Sequence, residues 1–187
     1  MPRGLASQVT FVLGGARSGK SRYAQRIASR YRNVVFIATA MASDAEMEER
    51  IERHRRNRPT EWQTLEVPIE LDAAISTLHE NTEIAVVDCL TLYISNLMTH
   101  TRGEVKEIEA HTNRVYRALE NARNPVVLVS NEVGSGLHPL TQSGRLYCDL
   151  LGELNQQVAQ LAEAVIFMKA GIPVPIKGRL SLTTESG

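Results

Sequence analysis

The run Gln8-Val9-Thr10-Phe11-Val12-Leu13 leads without a break into Gly14-Gly15-Ala16-Arg17-Ser18-Gly19-Lys20-Ser21, and a helical pattern begins at Arg22. The octet fits G-x-x-x-x-G-K-S, and the apolar strand before it and the helix behind it give the order this motif requires. Glycines in such a loop let successive backbone N–H groups turn inward around an anion, and the helix N-terminus adds partial positive charge at the same point. The octet therefore predicts a strand, a phosphate-holding loop and a helix, and constrains everything around them.

The rest of the chain supplies partners for that strand. Apolar, β-branched runs recur at Val34–Ala38, Ile84–Cys89, Pro125–Ser130 and Ala164–Met168, each separated from the next by helix-length sequence. Short buried strands alternating with helices indicate a mostly parallel sheet. Tyr23, Ile27 and Tyr31 mark one helix face; Leu71, Ala74, Ile75 and Leu78 a second; Val105, Ile108, Val115 and Leu119 a third; and Leu146, Leu150, Leu154, Val158 and Leu161 a fourth. The expected class is α/β, a P-loop NTPase-like sheet with helices on both faces. At 187 residues, without a repeat or a Pro/Gly-rich linker, residues 1–187 are expected to form one domain, with 178–187 as a flexible tail.

Charge narrows the partners. Lys and Arg total 21 and Asp and Glu total 21, so no basic balance points to nucleic acid. No apolar run reaches the ~18 to 20 residues of a membrane span, and the start lacks the apolar stretch of a secretory signal. A cytoplasmic protein is expected. Cys89 and Cys148 follow no metal-ligand spacing and are expected to be reduced structural thiols.

Within the loop, Lys20 is expected to reach the β and γ phosphates of a nucleoside triphosphate and Ser21 to hold Mg²⁺. The run Ile84-Ala85-Val86-Val87 ends in Asp88, a carboxylate at a strand tip where Mg²⁺ or its water shell would lie. The loop alone leaves kinase, nucleotidyltransferase, NTPase motor and GTPase open. A GTPase would normally carry Asn-Lys-x-Asp at a later strand end. Here that strand runs into Ser130-Asn131-Glu132-Val133-Gly134, which weakens the GTPase reading.

Ser43-Asp44-Ala45-Glu46 reads as a capping box opening a helix over about Asp44–Asn57, which Pro59 stops. Glu46, Glu48 and Glu49 fill its first turns and Arg53, Arg55 and Arg56 its last, as the helix dipole favours. Met47, Ile51, His54 and Arg58 share one face. The preceding strand tip should lie beside the phosphate loop, where ligands sit in open parallel sheets. An imidazole nitrogen can attack phosphorus in line, with Arg50, Arg53, Arg55 and Arg58 offsetting oxygen charge. On spacing alone His54 is either that nucleophile or a solvated histidine at a basic helix end. His79, His100, His111 and His138 are expected at the surface or in caps.

The combination of Gly14–Ser21, Phe36-Ile37-Ala38-Thr39-Ala40, Met47-x-x-Arg50-Ile51-x-x-His54-x-x-x-Arg58-Pro59, Asp88-Cys89-Leu90-Thr91 with Asn96-Leu97, and Val129-Ser130-Asn131-Glu132-Val133-Gly134-Ser135-Gly136 resembles the bifunctional adenosylcobinamide kinase / adenosylcobinamide-phosphate guanylyltransferase family of cobalamin biosynthesis. The resemblance covers roughly residues 8 to 177. It implies two reactions: phosphorylation of adenosylcobinamide by ATP or GTP, then GTP-dependent guanylylation of its phosphate through a GMP-histidine at His54. It also implies a nucleotide site of Gly14 to Ser21, Ala38, Thr39, Ala40, Arg55, Arg56, Asn57, Arg58, Glu66 and Asp88, with Lys20 and His54 catalytic, Ser21 and Asp88 on the metal, and a homotrimer. The sequence departs from the family at His138-Pro139-Leu140-Thr141 and at Cys148, where an arginine is common. Rival readings are a P-loop small-molecule kinase without guanylyl transfer and a nucleotide-binding regulatory ATPase.

Overall fold

The computed structural model describes residues 8–42, 45–56, 58–136 and 138–179. Within these, the chain runs β1 (Val9–Gly14), α1 (Lys20–Ala28), β2 (Val34–Ala38), α2 (Ala45–Arg56), β3 (Gln63–Glu66), α3 (Leu71–Ser76), β4 (Ile84–Asp88), α4 (Leu90–His100), α5 (Val105–Glu120), β5 (Val126–Val129), α6 (Gln142–Leu161), β6 (Ala164–Lys169) and β7 (Ile172–Lys177). The seven strands form one sheet in the order β3-β2-β4-β5-β1-β6-β7. Neighbours from β3 to β6 pair in parallel, and β7 runs antiparallel to β6.

Period-two alternation along each strand divides the core in two. Phe11, Ile37, Val87, Leu128 and Val165 point to the face covered by α3, α4, α5 and α6. Val12, Phe36, Val86, Val127 and Ile166 point to the opposite face, where Tyr23, Ala24 and Ile27 of α1 cover them together with Trp62. Because both faces are buried, these strands read as continuous apolar runs in the sequence.

All five expected strands are present, with ends displaced by about a residue. The sequence reading did not anticipate β3, β7 or α4. β3 is an edge strand whose Gln63, Thr64 and Glu66 are exposed, so it offers no apolar run. β7 carries Pro173 and Pro175, residues that sheets tolerate at an edge and that hinder pairing with a further strand. In α4, Leu90, Tyr93, Ile94 and Leu97 are buried between sheet and helices, leaving little polar face to betray a helical period.

Tyr31 does not extend the face of Tyr23 and Ile27 as expected. α1 ends at Ala28, with Ser29 N donating to Gln25 O at 2.8 Å, because the chain has to turn to enter β2 at Val34. Tyr31 is 39% exposed in that turn. The expected capping box at Ser43-Asp44, the helix end at Asn57, and the tail beyond Arg179 lie outside the described residues, as do the side chains of Glu46 and Arg50. No helix among the described residues is long and apolar enough to cross a membrane.

Candidate nucleotide site

β1 delivers its last residue, Gly14, to the C-terminal edge of the sheet with φ 150°. A Cβ there would stand 2.4 Å from the Met168 carbonyl oxygen and 2.8 Å from Ser18 Oγ, so only glycine fits between β6 and the loop. Gly15, Ala16 and Arg17 form the exposed crest of the loop, whereas Ser18 and Lys20 are buried. Gly19, at φ 95°, caps α1 without a side chain. The loop is braced from outside by the β6–β7 turn, where Gly171 N donates to Ser18 O at 3.0 Å. From the β5 side, Glu132 N donates to Gly14 O at 3.1 Å.

The Lys20 ammonium folds back into this loop, donating to Gly15 O at 2.5 Å and lying 3.5 Å from Ser18 Oγ. Its positive charge is thus held inside the ring of backbone that phosphates would enter. β5 lies between β1 and β4, yet the tips of all three strands meet the same cleft. Asp88 ends β4 there. Desolvation pushes its carboxyl above the ordinary range; a hydrogen bond from Ser21 and the charges of His54, Arg58 and Lys20 pull it back. Four of the expected site residues, from two other parts of the chain, thereby act on this one carboxylate.

A hard cation suits this meeting point. Magnesium keeps much of its water and takes one or two protein oxygens plus phosphates, and Ser21 and the half-buried Asp88 offer one hydroxyl and one carboxylate. Among the described residues no group of three His, Cys, Asp or Glu could hold a metal by itself, so an all-protein cage is not what this site provides.

The tip of β2 is tied to that of β4. Thr39 is fully buried; its hydroxyl donates to Cys89 O at 2.7 Å and accepts from Cys89 N at 2.9 Å. Asn96 of α4 donates to Thr39 O at 2.7 Å and to Pro68 O at 3.1 Å. Thr39 therefore shapes the cleft wall with its side chain turned inward. Ala38 is buried beside it and Ala40 is partly exposed. The segment after β5 is held likewise, with Asn131 N donating to Thr91 Oγ1 at 2.9 Å and Asn155 Nδ2 donating to Asn131 O at 3.1 Å. The departing segment His138–Thr141 leads into α6, which Thr141 caps by accepting from Gly144 N at 3.1 Å.

α2 carries His54 towards Asp88, and among the described residues no other element packs extensively along it. Its arginines are mostly occupied along the helix: Arg53 with Glu49 at 2.6 Å, Arg55 with Glu52 at 3.1 Å, and Arg56 with Glu52 at 3.9 Å. Arg55 also bonds to Glu66 at the tip of β3. Such exposed pairs contribute about 0–1 kcal/mol each. Glu66 thus anchors Arg55. Arg58 differs. Its guanidinium lies 3.9 Å from the centroid of the Phe36 ring, and its Nε is buried without a hydrogen-bond partner. Desolvation lowers its pKa, which the charge of Asp88 partly restores. Asn57 lies outside the described residues.

Cys89, next to Asp88, is a free thiol pushed up to about 11 by desolvation and by the neighbouring carboxylate. At pH 7 only about one molecule in 10⁴ is then thiolate, the reactive form. Cys89 is accordingly expected to resist alkylation in the folded protein at neutral pH and to react fully once denaturant is added, as peptide mass spectrometry would read. Cys148 on α6 is also free, in keeping with the expectation of two reduced thiols.

The profile of the family described as cobinamide kinase / cobinamide phosphate guanyltransferase matches residues 10–176. The chain belongs to that family. A bifunctional adenosylcobalamin biosynthesis protein CobP of Pseudomonas aeruginosa is 42% identical over 168 residues, covering 89% of this chain and 96% of the relative. A bifunctional adenosylcobalamin biosynthesis protein CobU of Escherichia coli is 36% identical over 177 residues, covering 89% and 98%. Among solved structures, a Pyrococcus horikoshii OT3 protein, PH0250, is similar in fold with TM-score 0.56 at 7% identity, over 94% of this chain and 89% of that one. The RadB recombinase is similar with TM-score 0.52 at 14% identity, over 94% and 83%. These last two establish the P-loop α/β fold that the cobinamide kinase family builds on, and the fold alone.

Proposed function

We propose that this chain phosphorylates adenosylcobinamide and then guanylylates the product, with one nucleotide cleft serving both reactions. The observation that carries the reading is the convergence of Lys20, Ser21, His54 and Arg58 on Asp88. In the first reaction the substrate hydroxyl attacks the γ-phosphorus of ATP or GTP; the bond to the β-bridging oxygen breaks, the hydroxyl proton is lost and the diphosphate leaves. In the second, an imidazole nitrogen of His54 attacks the α-phosphorus of GTP, a P–N bond forms and pyrophosphate leaves. An oxygen of adenosylcobinamide phosphate then attacks the same phosphorus and releases His54, giving adenosylcobinamide-GDP.

The residues divide the work. Gly14 to Ser21 wrap the phosphate tail with backbone N–H groups, and Lys20 supplies charge at the β and γ phosphates. Arg55, Arg56, Asn57 and Arg58 are assigned to the α-phosphate, with Glu66 setting Arg55 and the Ala38-Thr39-Ala40 tip forming a wall of the cleft. Ser21 and Asp88 would hold Mg²⁺, which supplies charge neutralisation on the phosphate oxygens when bound. Which phosphorus reacts is decided by position: the γ for a substrate hydroxyl, the α for His54. The reading further assigns one domain acting in the cytoplasm as a homotrimer. The exposed apolar side chains Ile172 and Ile176 on the outer strand, 64% and 63% accessible, support burial against another copy.

Incubation with α-labelled GTP tests the central step. Label retained by the protein through base and lost in acid is the expected result, since a phosphoramidate has that stability. Phosphorylated acceptor formed by a protein that never takes the label would reduce the chain to a kinase.

A further inference from the structure

Phe36 holds both ends of the short turn from which α2 springs. The chain leaves α2 at Arg56, and Arg58 N bonds to Arg55 O at 3.2 Å while Trp62 N bonds to Pro59 O at 3.3 Å. At the start of that turn the Arg58 guanidinium covers the Phe36 ring at 3.9 Å; at its end the Trp62 ring stacks on Phe36 with centroids 6.4 Å apart and planes inclined by 22°. Phe36 is 1% exposed and Trp62 7% exposed, so these two contacts root the turn in the core. By contrast, the ion pairs along α2 itself are exposed.

His54 lies in the last turn of α2, four residues before Arg58. Arg58 has nowhere better to go: its Nε has no hydrogen-bond partner, and what keeps it in place is the ring beneath it and the charge of Asp88 beside it. We infer that Phe36, in contact with both Arg58 and Trp62, is a positioning residue for the guanylyl transfer, fixing the root of α2 so that His54 stands at the α-phosphorus. This inference rests on the proposed role of His54. The aromatic and cation contacts of Phe36 are Trp62 and Arg58, not the phosphate loop or the carboxylate, and in the proposed scheme His54 acts only in the guanylyl transfer, the kinase step being an attack by the substrate's own hydroxyl. Losing the ring should therefore separate the two activities.

The test uses the full chain with Phe36→Leu, which keeps an apolar side chain in the sheet but removes the ring face, and Trp62→Leu, which removes the second ring without altering β2. Two readouts are taken on each sample: the single-turnover rate of labelling by α-labelled GTP, and the rate of adenosylcobinamide phosphorylation from γ-labelled nucleotide. The expected result is a loss of labelling of about tenfold or more in both variants, with phosphorylation within about twofold of the parent. Parallel loss of both activities in both variants would make the stack a support of the fold only, and labelling at the parental rate would show that His54 is placed without it; either overturns the inference. Absence of label in the parent protein is a separate outcome, which removes the guanylylation reading itself.

Discussion

Replacing His54 by alanine is expected to abolish covalent labelling by α-labelled GTP while phosphorylation of adenosylcobinamide continues. The imidazole is the group that would form the P–N bond, and removal of a covalent nucleophile typically costs on the order of 10⁴-fold or more. No neighbouring group is placed to replace it. The Cys89 thiol, adjacent to Asp88, is held protonated by a pKa of about 11, and the Lys20 ammonium is engaged by Gly15 O inside the loop. In the first reaction the attacking oxygen belongs to the substrate, so its rate should stay within about threefold, the usual scale of a lost peripheral contact. The two measurements made side by side, label bound per chain and phosphorylated acceptor per minute, decide the matter. Equal loss of both would place His54 in shared phosphate binding and remove its covalent role.

Lys20→Ala is expected to lower both activities together, by about 10²–10³-fold in kcat/KM, the range seen when one preorganised donor to developing charge is removed. The ammonium is buried and already directed into the loop, so little reorganisation accompanies the entry of phosphates. Both leaving groups, a diphosphate in one reaction and pyrophosphate in the other, carry their charge near this nitrogen. A variant that lost only one reaction would mean that the two use different phosphate sites. His54→Ala and Lys20→Ala thus separate what the reactions share from what only one of them needs.

The division of roles follows from how the cleft is assembled. Lys20 and Ser21 come from the rigid start of α1, whose Tyr23, Ala24 and Ile27 are packed on the sheet, and Asp88 comes from a buried strand. His54 comes from a helix held at its root by an aromatic stack and along its length by surface charge pairs. Groups that must meet every nucleotide are on the packed core, and the group needed for one step is on the loosely held element.

Much of this was legible in the residues. The strand, loop and helix from Gln8 onward carry their period and glycines openly, and Asp88 ends an apolar run where a parallel strand should stop. Spacing put His54 and Arg58 on one face, but did not choose between nucleophile and solvated histidine; the likeness to a family made that choice. β3, β7 and α4 escaped because their environments erase the usual signals: exposed polar residues on an edge, prolines in a strand, and apolar residues around most of a helix. The roles of Thr39 and Glu66 were also hidden. Nothing in the sequence says that the Thr39 hydroxyl turns inward to Cys89, or that Glu66 meets Arg55, because the first joins segments distant along the chain and the second depends on how α2 folds back onto the tip of β3.

Trp62 is the sole tryptophan of the chain, and it lies against Phe36 at the foot of α2. Evolution has thereby left a native optical probe at the joint that carries the histidine. Its ultraviolet emission follows that joint in the unmodified enzyme, without a dye and without altering a residue that meets the nucleotide.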